Sequence, residues 1–519
     1  MSWLPGRGRP VAIPHDRTPL RGRSIDTRAR VAWLLRINRL AYSPGPASDF
    51  VKKLRDHGCI LGSSTLCRYE TGSEPVPLLV IRAYELALGL PPGQLVGACG
   101  GLERVFGSAI AAEPDADTVL TRAELIAALS EWESRIAGGS MHGMDWIRLA
   151  EVMCCRSELV LPPSVMHSWA ATLATETVRS VREAYTTRSR ALGLMLADVG
   201  IGRRVLQAIE EVTRAPGAQS VTRVLALLGG SSDPTVTRWL IKSFWESEGE
   251  HQWGAAYGLL LQVCRGTLSG DLVPLVSDVV LHAAGEGLDR GLPAFMLAQR
   301  LSAELTQQVV ARLGCYPAPT GAGARVQSPA GLRHYRAAAL LESGLDDPML
   351  DRLLREALSP DFVERRHHSS LLLAASPYRD ILADVALGLL SNPTEPYVED
   401  SASNCLGYLA GGAQRAKLMK SLATLPRRRG TVLRALAQCG GVSEAVDLTA
   451  YLTEPEEAGD VVYAAGMSDH SALRVLAASE DLPDPGLQRA AQWWRRIGPA
   501  VTDDRRCSPD LLDLLHLAG

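Results

Sequence analysis

The chain has 519 residues, with 54 Lys/Arg against 57 Asp/Glu for a net charge of −3, and it is 46% hydrophobic but only 5% aromatic. That length allows several domains around a large core, and the dominance of Ala and Leu favours helices packed closely through small side chains. No run of about 18 uncharged apolar residues offers a membrane span, the N-terminal MSWLPGRGRP lacks the apolar core of an export signal, and ten scattered cysteines form neither a CxxC pair nor a zinc spacing.

A cytoplasmic protein with reduced, mostly buried thiols is therefore expected. Its charge is unevenly divided. Residues 1–90 hold 14 Lys/Arg and 7 Asp/Glu, a net +7; since the whole chain nets −3, the remainder nets −10. A basic head on an acidic body focuses attraction for polyanions at the N-terminal end. Residues 1–27 read as a flexible basic arm, rich in Pro and Gly, of a kind that can lie in a DNA minor groove. Helical spacing of apolar residues then predicts a first helix over Arg30–Tyr42 and a second over Ser48–His57. In the second, Phe50, Val51 and Leu54 face inward, leaving Lys52, Lys53 and Arg55 available for phosphates.

The most informative stretch is GSSTLCRYETGSEPVPLLVIRAYELALGLPPGQL, residues 62–95. A helix opening near Ser63, wound at about 100° per residue, puts Ser64, Cys67 and Arg68 on one face and Leu66, Tyr69 and Glu70 on the other. Ser63 suits an N-cap, and Gly72 suits a left-handed stop. Pro75 and Pro77 break the chain before a fourth helix, Leu78–Leu88, and Pro91-Pro92 precede a short fifth element around Gln94 and Leu95. Short hydroxyls can reach phosphates or base edges, and arginine can donate two hydrogen bonds to guanine O6 and N7.

Residues 28–97 resemble a Cro/repressor-type (XRE-like) helix-turn-helix domain, with the helix from Ser63 as its recognition helix. The resemblance implies binding to double-stranded DNA through Ser63, Ser64, Thr65, Cys67 and Arg68, with Lys52, Lys53 and Arg55 on the backbone. It also implies an ion pair between Arg36 and Glu70, with a homodimer on paired half-sites as the default. Two segments depart from the pattern: SPGPA between the first two helices and GCILG before the third are longer than the usual tight turn.

Beyond the head, an all-α body is expected. Residues 98–145 read as a linker with one amphipathic helix, Arg122–Ile136, and an exposed acidic loop at 113–117. A first helical half, residues 146–315, opens with Trp146–Cys155 and includes a long helical run over Ser164–Arg190. A Pro/Gly-rich break follows at Tyr316–Pro329. Over 330–519 a loose repeat appears: GLRHYRAAALLESG from 331, DFVERRHHSSLLLAAS from 361 and PYVEDSASNCLGYLAG from 396. Each is followed by a second helix, at Pro348–Leu358, Arg379–Leu390 and Ala413–Leu422. Two-helix units at this spacing resemble HEAT-like repeats, which stack into a solenoid.

Catalytic signatures are lacking: there is no GxxxxGK, GxSxG, HExxH or dinucleotide-binding glycine pattern. Adjacent His367 and His368 would point about 100° apart on a helix and chelate one metal poorly. Vicinal Cys154-Cys155 suggest redox or metal sensing, the basic turn Pro426–Gly430 could touch a second DNA segment or an acidic partner, and Tyr185, Arg188 and Arg190 on the long helical run could line an interface; a reduced thiol pair, a solvated turn and ordinary helix surface are the plainer readings. The expectation is a non-enzymatic, cofactor-free transcriptional regulator, its helical body serving dimerisation, small-molecule sensing or contact with a protein such as RNA polymerase. The alternative is a HEAT-type interaction scaffold tethered nonspecifically to nucleic acid; an enzyme in the manner of HEAT-like glycosylases lacks a visible acid/base constellation.

Overall fold

Leucine and alanine at helical spacing, punctuated by Asp, Ser or Pro at helix starts and Gly at helix ends, give an all-α chain of twenty-six α-helices among the described residues. The computed structural model describes residues 12–20, 24–107, 110–111, 121–155, 161–314, 331–359, 362–392, 396–452, 455–479, 482 and 484–503. The segments expected at 113–117 and 316–329, residues 1–11 and 21–23 of the basic arm, and the Cys155 side chain lie outside them.

The chain divides into two compact units. The first is built from segments far apart in the sequence: Met1–Glu103, Ser108–Ala112 and Thr320–Ala500. The head and the C-terminal repeats, expected as separate domains, thus share one core.

In the head, α1 (Thr27–Tyr42) opens on Asp26, whose carboxylate accepts from Ala29 N–H at 2.9 Å. Nearly all of α1 is buried, including Arg30, Asn38 and Arg39, so it lies at the centre of the unit rather than on its surface. The short α2 (Ala47–Asp56) is amphipathic, with Phe50, Val51 and Leu54 inward. Helix α3 (Ser63–Thr71) stops at Gly72 with φ +75°, and a Cβ there would meet the Arg28 backbone at 3.3 Å. Only glycine satisfies both the backbone angle and the close approach. Helix α4 (Leu78–Leu88) matches its expected bounds.

Helix α5 (Gln94–Phe106) is thirteen residues long rather than a short element. Val96, Ala98, Cys99, Leu102 and Val105 are buried along it, so the expected linker does not begin at residue 98. Its N-terminal amides are capped from α4: the buried Glu85 carboxylate accepts from Gly93 N–H at 2.9 Å, Leu95 N–H at 2.5 Å and Val96 N–H at 2.9 Å. A two-residue parallel pair, β1 (Val76–Pro77) with β2 (Ile110–Ala111), ties down the segment after α3.

The repeats of this unit are the helix pairs Leu332–Ser343 with Pro348–Ala357, Val363–Ala375 with Arg379–Ser391, and Pro396–Leu409 with Gly412–Thr424. Arg429–Gln438 with Pro455–Ser468 and Ala472–Ala478 with Pro485–Ile497 continue the series. Among the first three pairs, packing is closest between the second helix of one pair and the first helix of the next: Pro348–Ala357 on Val363–Ala375, Arg379–Ser391 on Pro396–Leu409 and Gly412–Thr424 on Arg429–Gln438; Arg379–Ser391 also packs on Leu332–Ser343.

Helix α1 is anchored to the first two of these pairs by buried polar contacts. Trp33 Nε1–H donates to Asp347 at 2.8 Å, Asn38 donates to the Ala375 carbonyl at 3.2 Å, and Arg30 forms two hydrogen bonds to Glu356 at 2.7 and 2.8 Å. The stretch ahead of α1, expected as a free arm, is held by the same cluster where it is described. Asp16 accepts from Arg30 at 2.8 Å, Arg352 donates to the Thr18 carbonyl, and Arg365 donates to Leu20 and Ser24 carbonyls, each at 2.8 Å. Buried guanidiniums with several donors draw the backbone in.

The second unit spans Arg104–Gly107, Glu113–Pro319 and Val501–Gly519. Helix α6 (Arg122–Ala137) opens with a Thr121/Glu124 capping box, and its Arg135 reaches Asp145 at the start of α7 (Gly143–Cys155) at 2.6 Å. The long helical run expected over Ser164–Arg190 is two helices, α8 (Pro163–Arg179) and α9 (Arg182–Ala197). The break is satisfied by a distant segment: Val501 donates to the Arg179 carbonyl at 3.0 Å and accepts from Val181 N–H at 3.2 Å. Nothing local in the sequence marks such a stop. Seven further helices, from Val199–Thr213 to Ala303–Leu313, complete the unit. Close packing through small residues is visible at Gly258, where a Cβ would lie 2.8 Å from the Leu240 side chain.

Candidate nucleic-acid interface

Helix α3 is held by one buried carboxylate. Glu70 Oε1 accepts from Arg39 Nε at 2.5 Å and from the Tyr84 hydroxyl at 2.9 Å, and Oε2 accepts from Arg39 Nη2 at 2.7 Å. Tyr84 in turn sits edge-on to Phe50 of α2, ring centroids 4.8 Å apart. Glu70 therefore joins α3 to α1 and α4. Burial disfavours the Arg39 cation, yet its hydrogen bonds to Glu70 and the Glu70 charge hold its pKa above the usual value. The expected partner, Arg36, stands 3.7 Å from Glu70 Oε2 and plays the lesser part. Arg39 lies one helical turn beyond Arg36, on the same face, so spacing alone could not rank them.

Of the inward residues, Leu66 is fully buried, but Tyr69 is only half-buried, contrary to its expected place in the core. The aromatic anchor is Tyr84 instead. The opposite face of α3 is open: Ser63, Ser64, Cys67 and Arg68 are exposed and Thr65 is half-exposed. Gly62, rather than Ser63, is the N-cap, which leaves the Ser63 hydroxyl outside the cap.

Lys52, Lys53 and Arg55 are exposed on α2. Lys52 pairs with Asp49 at 3.0 Å and Lys53 reaches the Ser43 hydroxyl at 3.2 Å, both on the surface. Such contacts, each a single one from an ammonium on a flexible stem, contribute little in water and yield readily to phosphate. Of the head's fourteen cationic residues, Arg30, Arg36 and Arg39 are committed to internal carboxylates, so formal charge overstates the field presented outward.

No family model, curated protein or solved structure matches this chain.

Elsewhere the singled-out residues are occupied structurally. His368 Nδ1–H donates to the Glu364 carbonyl at 2.7 Å, His367 pairs with the Tyr408 hydroxyl at 2.9 Å, and no group of three metal-binding side chains exists among the described residues. In the basic turn, Arg428 pairs with Glu399, and Arg429 reaches Glu457 at 2.9 Å while stacking over Tyr451. Arg188 is buried between Glu176 at 2.7 Å and Asp503 at 3.0 Å, and Tyr185 lies beneath Arg223; they are core, not a docking face. The Cys154 thiol donates to the Leu194 carbonyl at 3.5 Å, and the seven described cysteine side chains are reduced thiols.

Proposed function

We propose that this chain is a sequence-specific, double-stranded-DNA-binding transcriptional regulator that reads the major groove with α3. The observation that carries the reading is the pairing of an exposed polar face, Ser63, Ser64, Thr65, Cys67 and Arg68, with a buried Glu70–Arg39–Tyr84 anchor on the same helix. Base reading requires side chains held in one geometry, which a rigidly anchored helix supplies. Lys52, Lys53 and Arg55 would meet phosphates and set register. A homodimer on paired half-sites would extend the few base pairs one helix can cover. The helical body would take the regulatory input, a small-molecule effector or a partner such as RNA polymerase. In this reading the protein is cytoplasmic and carries out no catalysis.

Successive packing of the C-terminal helix pairs favours a second reading, an interaction scaffold held loosely on nucleic acid. The two separate on one measurement. Duplexes selected from a random pool should bind at least about a thousandfold more tightly than bulk DNA for a regulator, whereas a tether shows salt-sensitive binding without that ratio.

A further inference from the structure

Arg68, the one cation on the exposed face of α3, is not a free side chain. Its Nε lies 2.9 Å from Glu74 Oε1, and its Nη2 donates to Thr65 Oγ1 at 3.2 Å. Nη1 makes no hydrogen bond or ion pair among the described residues. The guanidinium is therefore contacted along one edge, its side chain is half-exposed, and donors on the far edge remain uncommitted.

The acid is placed by backbone rather than by chance. Ser73 N–H closes on the Arg68 carbonyl at 3.0 Å across the left-handed Gly72, which turns the chain back along α3. Pro75 follows, and Val76–Pro77 are fixed by pairing with Ile110–Ala111. An exposed carboxylate beside a phosphate-binding surface is electrostatically unfavourable. Its placement here needs a compensating role.

We infer that Glu74 is a positioning residue for base reading: with Thr65 it fixes the Arg68 guanidinium so that its outer edge presents two parallel donors to guanine O6 and N7. This inference rests on the DNA-reading proposal and adds to it a residue outside α3. A lysine or an untethered arginine could satisfy any nearby phosphate. An arginine held by Nε is restricted to acceptors lying end-on, which converts a general cation into a selective one. Glu74 trades overall affinity for discrimination.

The test uses the full chain with Glu74→Ala and Glu74→Gln, measured on the selected duplex, on the same duplex changed at the guanine read by Arg68, and on unrelated DNA. Glu74→Ala should bind unrelated DNA more tightly, with a salt dependence steeper by about one counterion as Arg68 turns to phosphate. Its preference at that single base should fall about tenfold. Glu74→Gln, which keeps an acceptor for Nε but loses the charge, should gain affinity for all duplexes and retain the preference. Both should unfold at the wild-type temperature, since the pair is exposed. Wild-type preference in Glu74→Ala, equal loss of preference in both variants, or parallel loss of all binding with a lowered unfolding temperature would each overturn the inference. Absence of any base preference in the wild type would instead refute the DNA-reading proposal beneath it.

Discussion

Arg30 of α1 and Glu356, 326 residues later in the chain, form a two-pronged buried ion pair at 2.7 and 2.8 Å. Asp16 and Ser369 complete the shell around it, at 2.8 Å from Arg30 and 2.6 Å from Glu356 respectively. Arg352 adds a second cation to Glu356 at 2.8 Å. Removing one member strands the rest in a buried site. Arg30→Met or Glu356→Gln should therefore destabilise the first unit by about 3–5 kcal/mol in denaturant unfolding. A loss below about 1 kcal/mol would mean the cluster is solvated.

The same cluster and Glu85 give opposite pH slopes. Burial alone would raise the Glu356 and Asp16 pKa values, but Arg30 and the hydrogen bonds around each acid more than offset it, leaving both below their ordinary values. Their contribution is present above the ordinary carboxylate range and is lost as pH falls through the lowered folded values. Glu85 is the reverse: burial pushes it up to about 7 against three backbone N–H donors. Stability should then decline as pH rises from about 4.5 to 7, by up to about 3 kcal/mol. Glu85→Gln should abolish that slope while lowering the baseline through the weakened cap on α5. Unfolding measured at pH 5, 6 and 7.5 checks both effects, and an unchanged slope in the variant would assign it to another group.

Arg39 and Arg36 should differ sharply although both face Glu70. Arg39→Ala removes two short hydrogen bonds from a buried carboxylate and should cost about 2–4 kcal/mol, with DNA affinity falling alongside. Arg36→Ala, losing a 3.7 Å contact, should cost under about 1 kcal/mol. Equal losses would remove the ranking drawn from distance.

Much of the head is legible in its residues because the signals there are local. Gly72 and the prolines at 75, 77, 91 and 92 mark helix ends, and the α4 bounds follow from apolar spacing within a single stretch. The repeat helices after Pro348 and Arg379 are legible for the same reason. What escapes local reading depends on partners far along the chain. Arg30 looks like one more phosphate-seeking cation until Glu356 is placed beside it. Arg188 looks like surface until Asp503 arrives from the C-terminal end, and α8 stops only because Val501 pairs with its last turn. The orientation of Arg68 by Glu74 falls in a third class, since it depends on a left-handed glycine turning the chain back.

Shared packing of the head with the helices of 320–500 has a consequence for dissection. A fragment ending at residue 112 would expose Trp33, which is fully buried in the unit, and would leave Arg30 without Glu356. It should show low, non-cooperative thermal unfolding by circular dichroism, and adding a fragment spanning residues 320–500 should restore a cooperative transition. A fragment starting near residue 100 fails for the reciprocal reason, so its loss of DNA binding would not locate the site. Cooperative unfolding of the isolated head would show that α1 does not need the repeats.

Substitutions on the outer face should separate reading from attraction. Arg68→Ala should weaken binding to the selected duplex by about 1–3 kcal/mol and relax one base position. Lys52→Ala or Lys53→Ala should weaken all sequences alike and shallow the salt dependence by about one counterion. Identical behaviour of the three variants would make Arg68 a phosphate contact.

The most direct test is equilibrium binding of the full-length protein, at one fixed salt concentration, to its best duplex from random-pool selection and to unrelated DNA of equal length. A ratio of at least about a thousandfold is expected, with protection confined to the selected site in footprinting. A ratio near one, with binding that simply fades as salt rises, would contradict sequence-specific reading by α3 and leave the chain a nonspecific tether.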